Sequence, residues 1–451
     1  MITRHILTIP GKGPKGERRV HYRRCGRGPA LLMVHQSPRS SAEYEPLMRK
    51  WGEHFTCIAP DTPGFGQSDP LPGEPDIADF ADALCETMDA LGIGPCPAYG
   101  FHSGGIILVT ALKRQPQRFR CLAVGGYAIW TADEMRIFGE SYLPEFRPSP
   151  YGEHLAWLWN RMLEQSWVFP WFDTREEARL SVAHADVARV AQAVMEMLQA
   201  GNANRAGYGA VLRAPRDIPP VDSAVPPCLI SAYDGDPLQA HIDRLGQMPA
   251  QWEALKVAAP EDHQQASLTF LRRHGGEAPC PPLPEDVAEG WEHVDGGLIH
   301  WKGTRGAERL ILHAPASELA EPEAGTLVID APGHGQSDDF ANPRAAVEAA
   351  ALMLGAEAIL WPSPPPGDPD RLYPDMAPDR FGAYLQRAWQ VARAEAFFAP
   401  WYEAKAAHAI PLDPAALDPS ALQRRARARI VAGDAARRWH DILTAQKGET
   451  R

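Results

Sequence analysis

The stretch Gly100-Phe101-His102-Ser103-Gly104 sets an imidazole beside a hydroxyl between two glycines. An apolar run from Cys96 to Gly100 enters it, and Ile106, Ile107, Leu108, Val109, Ala111 and Leu112 leave it. The pattern predicts a strand, a tight turn and a helix. Glycines are needed where strand and helix nearly touch across so sharp a turn. His102 at the tip carries an imidazole, which can serve as a nucleophile or as a base toward water. Ser103 can serve as a nucleophile if a histidine takes its proton. The histidines never fall at H-x-x-x-H or similar spacing on one helix, so no metal is expected. Gly100, Gly104 and Gly105 do not make G-x-G-x-x-G, so no dinucleotide is expected either, and no cofactor is implied.

These residues need a scaffold, and the hydropathy pattern supplies one. Residues 5–10 and 19–25 alternate as two opening strands joined by a Gly/Lys turn. Residues 30–34 are continuously apolar, as in a strand buried on both faces. They run into His35-Gln36-Ser37-Pro38-Arg39-Ser40-Ser41 and an amphipathic helix over 42–51. A strand over 55–59 leads to Asp61-Thr62-Pro63-Gly64-Phe65-Gly66-Gln67-Ser68-Asp69, and a helix over 76–91 follows. Later come strands at 228–232 and 252–258 and a helix over 264–272. Strands alternating with helices imply a mostly parallel sheet with helices on both faces.

From about residue 15 to 275 the chain resembles the α/β-hydrolase superfamily. The resemblance rests on three loops in family order at family spacing: H-x-x-P at 35–38, D-x-P-G-x-G-x-S-D at 61–69, and the glycine-flanked turn at 100–104. It resembles a subgroup with G-x-H-[ST]-G in place of the G-x-S-x-G elbow. The resemblance implies an α/β-hydrolase fold with His102 at the nucleophile position. It implies an oxyanion hole from the backbone N–H groups of Gln36 and Ser103, with Gln36 standing where glycine is more usual. It gives Asp236 as the triad acid, Asp234 in reserve, and His263 as the triad histidine. It also implies a helical cap over about 133–215, whose aromatics, Trp157 and Trp167 among them, either wall an apolar substrate site or join cap to core. Arg39, beside the oxyanion loop, either pairs a substrate carboxylate or stays solvated.

Past a Pro-rich linker at 276–288 the sequence echoes itself. Leu298–Trp301 repeats Arg19–Tyr22, and Leu310–His313 repeats Leu32–His35. Asp330–Asp338 matches residues 61–69 at seven of nine positions. The copy breaks at Pro362-Ser363-Pro364-Pro365-Pro366, where no glycine-flanked turn can form. Similarity resumes at Pro374, Gly382, Trp389, Pro400 and Trp401, each 230 residues after its counterpart in the first cap. The expected organisation is a hydrolase domain over 1–275 and a degenerate, truncated, non-catalytic half-hydrolase repeat over 289–451 with its own cap-like helices. Association of the two caps would make an internal pseudo-dimer, the alternative being a homodimer.

At 451 residues two domains are expected. A net charge of −12 argues against nucleic-acid or anionic-membrane partners. Seven cysteines with no C-x-x-C pair read as free thiols in a reducing compartment, and no stretch is long enough to span a membrane, so a cytoplasmic location is expected. Three functions remain open. The first is hydrolysis of a small, partly apolar ester or other carbonyl compound by His102 or Ser103 with Asp236 and His263. The second is a cofactor-free lyase or other acid/base reaction on the same fold. The third is a binding module without turnover.

Overall fold

The computed structural model describes residues 1–10, 17–283 and 287–449. The predicted Gly/Lys turn and part of the Pro-rich linker lie outside them. Eight strands form the first sheet: β1 (Ile2–Ile9), β2 (Arg18–Gly26), β3 (Ala30–Val34), β4 (Thr56–Pro60), β5 (Cys96–Phe101), β6 (Phe119–Gly125), β7 (Cys228–Tyr233) and β8 (Trp252–Val257). Their order is β1-β2-β4-β3-β5-β6-β7-β8. The β1–β2 and β2–β4 pairs are antiparallel and the remaining pairs are parallel.

Every residue of β3 and β4 is buried, as their unbroken apolar runs require. Alternate residues face opposite sides. Leu32, Val34, Ile58, Ala98 and Ile230 pack on one face beneath α2 (Ile77–Leu91) and α3 (Ser103–Arg114). Leu31, Met33, Cys57, Tyr99 and Leu229 pack on the other against α1 (Glu45–Trp51) and the helix Pro260–His274. Helix α2 begins with a capping box, in which Asp76 accepts from Asp79 N and Asp79 from Asp76 N, and ends at Gly92 in the left-handed region. Such a cap contributes about 1 kcal/mol.

The α-helices between β6 and β7 are α4 (Ala132–Ile137), α5 (Glu153–Glu164), α6 (Val187–Ala200) and α7 (Asn202–Leu212). The closing helix, α8, starts at Pro260, four residues before the predicted start. Proline suits the first helical position, and Glu261 and Asp262 favour the positive end of the helix dipole. His263 is therefore a first-turn helical residue rather than part of a loop.

A second sheet is built from β9 (Glu289–Val294), β10 (Gly297–Gly303), β11 (Arg309–Leu312), β12 (Thr326–Ile329) and β13 (Ala358–Leu360), in the order β13-β11-β12-β10-β9. Pairings are parallel for β11–β12 and β11–β13 and antiparallel for β10–β12 and β10–β9. Around it lie α9 (Pro343–Leu354), α10 (Pro369–Leu372), α11 (Ala383–Ala394) and α12 (Pro419–Glu449), the last interrupted at Gly433. By its contacts the chain divides into one unit of Met1–Phe146, Arg161–Asp186 and Gln192–Glu285, and a second of Arg147–Asn160, Val187–Ala191 and Asp286–Arg451.

Details recur between the halves. His21 Nδ1 lies 2.7 Å from Asp61 Oδ2, and His300 Nδ1 lies 2.7 Å from Asp330 Oδ2. Gly66 and Gly335 hold φ of 53° and 51°, each where a Cβ would strike that aspartate. Single bridges join Val168 to Arg179 and Phe398 to Ala409. Gly201 (φ 53°, ψ −134°) separates α6 from α7, and Gly433 (φ 44°, ψ −131°) breaks α12.

Within the second unit, the segment 147–160 meets α11 through reciprocal contacts. A Cβ on Gly382 would lie 2.4 Å from Trp159, and one on Gly152 would lie 2.9 Å from Trp389. Gln386 Nε2 donates to Gly152 O at 2.6 Å, and Trp159 Nε1 donates to Arg380 O at 3.2 Å. Both indoles are fully buried. No helix among the described residues is long and apolar enough to cross a membrane.

Candidate active site

The site begins where β5 stops. His102 has φ 48° and ψ −116°, one of two non-glycine residues with positive φ among the described residues. Such a conformation strains a residue with a Cβ and persists only where the surroundings enforce it. They do so here: His102 N donates to Gly125 O at 2.8 Å, and His102 O accepts from Ile106 N at 3.1 Å. The neighbouring glycines are steric necessities. A Cβ on Gly104 would sit 2.0 Å from Val34 O, and one on Gly100 would sit 2.8 Å from Gly104 C.

Asp236, just past β7, meets the elbow. Its Oδ1 accepts from Leu238 N at 2.8 Å and lies 3.1 Å from His102 Nε2. Gly126, just past β6, leaves room for the pair, since a Cβ there would lie 2.3 Å from His102 Cδ2 and 2.7 Å from Asp236 Oδ2. Burial opposes ionisation of Asp236, but the His102 imidazole and the Leu238 amide outweigh it and hold the carboxyl below its usual range. A carboxylate here accepts the Nε2 proton and leaves Nδ1 as the basic nitrogen. The His102 side chain keeps 24% of its surface exposed, whereas that of Asp236 has none.

The other residues named from sequence are placed as follows. His263 is buried away from Asp236, with Nε2 3.0 Å from the Tyr99 hydroxyl and Nδ1 2.8 Å from Ser231 Oγ. Burial pushes it down to about 4, which keeps it neutral near pH 7. The expected Asp236–His263 pairing thus gives way to Asp236–His102. Phe101, whose ring stacks on His102 at 4.2 Å and meets His263 edge-on at 5.6 Å, fills the space next to the elbow. Ser103 Oγ is engaged twice with Ser37, accepting from its N–H at 2.7 Å and donating to its hydroxyl at 3.2 Å. The Ser103 N–H belongs to the first turn of α3, whose amides have no partner within the helix.

Gln36 is committed elsewhere. Its N–H donates to Glu43 Oε1 at 2.8 Å and its side-chain amide to Glu43 Oε2 at 3.0 Å. Burial raises the Glu43 carboxyl to about 7, against the pull of Arg39 and the two Gln36 bonds. Arg39 pairs with Glu196, Nε to Oε2 at 2.5 Å, so its charge is met within the protein. Asp234 is exposed and accepts from Gln239 Nε2.

A cavity of about 130 Å³ opens onto His102. Its apolar wall includes Trp130, Tyr142, Phe169, Tyr208 and Leu238. Trp167 is not on this wall; its Nε1 donates to His184 O at 2.8 Å. Trp157 belongs to the segment grouped with the second unit. Trp130 and Tyr208 were missed, although the sequence held a signal for Trp130: it lies five residues past β6, at the strand ends where α/β sheets bind ligands. Glu43 carried no signal, since a glutamate in an amphipathic helix reads as solvated.

The chain is similar to known proteins over part of its length. Residues 29–196 match the family model described as alpha/beta hydrolase fold. Haloalkane dehalogenase 2 of Mycobacterium tuberculosis is 30% identical over 134 residues, 30% of this chain and 47% of that protein. An Acinetobacter baylyi (E)-2-((N-methylformamido)methylene)succinate hydrolase is 28% identical over 107 residues, 24% of this chain and 41% of that protein. The chain thus spans less than half the length of either relative. Among solved structures, a thermophilic esterase from Thermogutta terrifontis is similar at 18% identity and a TM-score of 0.42, covering 60% of this chain and 99% of its own.

Proposed function

We propose that the first unit, which has the α/β-hydrolase fold, hydrolyses a small carbonyl compound with His102 as general base and water as nucleophile. The observation that carries this reading is the contact between His102 Nε2 and Asp236 Oδ1, with the imidazole facing the cavity from the elbow tip. In this mechanism Nδ1 takes a proton from water, and the hydroxide attacks the carbonyl carbon. Asp236 stabilises the imidazolium and fixes its orientation, as the acid of a catalytic triad does for its histidine. The Ser103 N–H, at the positive end of α3, faces the developing oxyanion. The imidazolium then returns its proton to the leaving group, and an acid and an alcohol or amine depart. Ser103 supplies its amide rather than its hydroxyl, because Oγ holds Ser37. The relatives named dehalogenase and succinate hydrolase support hydrolysis as the reaction class.

One observation favours a second reading. With Gln36 N–H bound to Glu43, a single backbone donor is left to face an oxyanion, which suits proton transfer by His102 without acyl chemistry. The deciding experiment is turnover of a p-nitrophenyl ester by the wild type and by His102→Ala, with intact-mass analysis after a fluorophosphonate. Base catalysis predicts a loss of about 10²–10⁴ in kcat for His102→Ala and no covalent adduct. An adduct on Ser103 would overturn the reading, as would full activity in the variant.

The second half reads as a degenerate copy of the first. The shared strand order, the His–Asp pairs, the two bridges and the two left-handed glycines support that inference. It has no counterpart to His102 or Asp236 among the described residues, so catalysis is assigned to the first half alone. The reciprocal Gly–Trp contacts support the pseudo-dimer reading of the caps. Seven unpaired cysteines agree with a reducing, cytoplasmic setting.

A further inference from the structure

The two halves carry the same histidine in different surroundings. His21 of β2 and His300 of β10 each set Nδ1 2.7 Å from an aspartate, Asp61 and Asp330. Two residues further along each strand stands a cation, Arg23 or Lys302. Strand register puts Arg4 of β1 opposite Arg23, and Glu289 of β9 opposite Lys302. The second half thus has a carboxylate at the place where the first has a guanidinium. Glu289 Oε1 lies 3.0 Å from His300 Nε2, so carboxylates hold the imidazole at both nitrogens. The side chains of His300, Glu289 and Asp330 keep only 2%, 12% and 5% of their surface exposed. The Trp291 ring covers the imidazole at 4.8 Å.

Both acids have partners that favour the ionised form. Asp330 Oδ2 also accepts from Gln336 N at 2.9 Å, and Glu289 Oε2 lies 4.0 Å from Lys302 Nζ. The neighbouring imidazoles bring no further charge. His313 Nε2, 3.7 Å from Asp330 Oδ1, accepts from Ala331 N at 3.1 Å, while its Nδ1 donates to Ala314 O at 2.8 Å. Burial pushes His334 down to about 4. A neutral imidazole has one N–H and one lone pair, so a neutral His300 would turn its lone pair on one of the two carboxylates. With both nitrogens protonated, each carboxylate receives a charge-assisted hydrogen bond, and His300 and Lys302 balance the two negative charges. The carboxylates outweigh burial and hold the His300 imidazole above its ordinary value. At His21 burial wins and the value is pushed down.

We propose that His300 is a proton-operated latch: while charged it ties Glu289, and with it the start of β9, to the rest of the second sheet, and on losing its proton it lets that end of the strand go. Strand β9 is the terminal strand of its sheet, next to β10, so its release leaves the other four strands in register. A group that binds its proton more tightly in the folded state contributes fully below its unfolded value, and the contribution is lost as pH rises through its folded value. Opening of β9 is therefore expected to increase upward from about pH 6.5, by up to about tenfold per pH unit for one linked proton, and then to level off.

Two measurements on the full chain test this. In the NMR spectrum of protein with isotope-labelled histidine, assigned with His300→Gln, His300 is expected to carry protons on both ring nitrogens at pH 7. Amide hydrogen exchange, corrected for the intrinsic pH dependence of exchange, is expected to show β9 losing protection between pH 6 and 10 while β12 keeps it. Glu289→Gln offers His300 an amide in place of the second carboxylate. His300 should then be neutral at pH 7, and the pH dependence of β9 should vanish. A neutral His300 in the wild type at pH 7 would overturn the proposal, as would β9 protection that stays level from pH 6 to 10. A pH dependence that persists in Glu289→Gln would belong to another group and would do the same. None of these readouts depends on turnover at His102.

Discussion

His263 and His102 have exchanged the places their sequence positions imply. By resemblance, His263 is the base and His102 an oddity at the nucleophile position. In the structure His102 takes the carboxylate, and His263 turns inward to Tyr99 and Ser231. A neutral imidazole that gives one hydrogen bond and accepts another is a packing element, and removing it leaves two buried hydroxyls unpaired. His263→Ala is accordingly expected to cost about 1–3 kcal/mol of stability while changing kcat less than tenfold. Chemical denaturation and steady-state kinetics on the same preparation check this; a hundredfold loss of kcat at unchanged stability would return His263 to the chemistry. The elbow was legible in the sequence because Gly100 and Gly104 have a steric reason to be glycine. The exchange of partners was not, because it depends on Gly126 clearing space for the His102–Asp236 pair and on Phe101 filling space beside it. Neither effect has a spacing that a reader could match.

At the scale of elements, the loop from His35 to Tyr44 is held by a carboxylate. Glu43 reaches back from the short helical turn at Ser41–Tyr44 to both donors of Gln36. Its carboxyl lies near 7 in the folded chain against an ordinary 4.5, so the folded state binds the proton more tightly than the unfolded one. The contribution is fully present below about pH 4.5 and is lost as pH rises toward about 7. Above that the penalty is constant at roughly 3 kcal/mol. Glu43→Gln should therefore flatten the decline of stability between pH 5 and 7, measured by urea denaturation across that range. An unchanged slope would place the carboxyl at its ordinary value. The strands and helices that carry this loop were readable from hydropathy alone, since β3 and β4 are apolar throughout and both are buried on two faces. The commitment of Gln36 was not readable, because it is a tertiary hydrogen bond made seven residues away.

For the whole molecule, the reciprocal glycine–tryptophan contacts of the second unit join residues that the sequence relates by a constant offset of 230. Gly382 packs under Trp159, and Gly152 under Trp389. Gly382 also has φ 67°, so a branched side chain is opposed by both backbone and neighbour. Gly382→Val is expected to destabilise the chain by several kcal/mol and lower the first thermal transition. Calorimetry would refute this if the melting profile were unchanged. The sheets and helices of this half were legible, but the assignment of 147–160 to it was not. That segment reads as ordinary cap sequence, and only three-dimensional packing groups it with α11.

The same reciprocal pairing has a genetic consequence. In a symmetric assembly of identical chains, every substitution enters both sides of the contact at once, and a change tolerated on one side must be tolerated on the other. Here the two sides are written in separate codons. Trp159 and Trp389 can drift independently, and so can the loops that each half carries. Pro362–Pro366 and His102 likewise lie in separate codons, so a change at one leaves the other untouched. Tandem encoding of this contact separates the inheritance of the scaffold from the inheritance of the pocket.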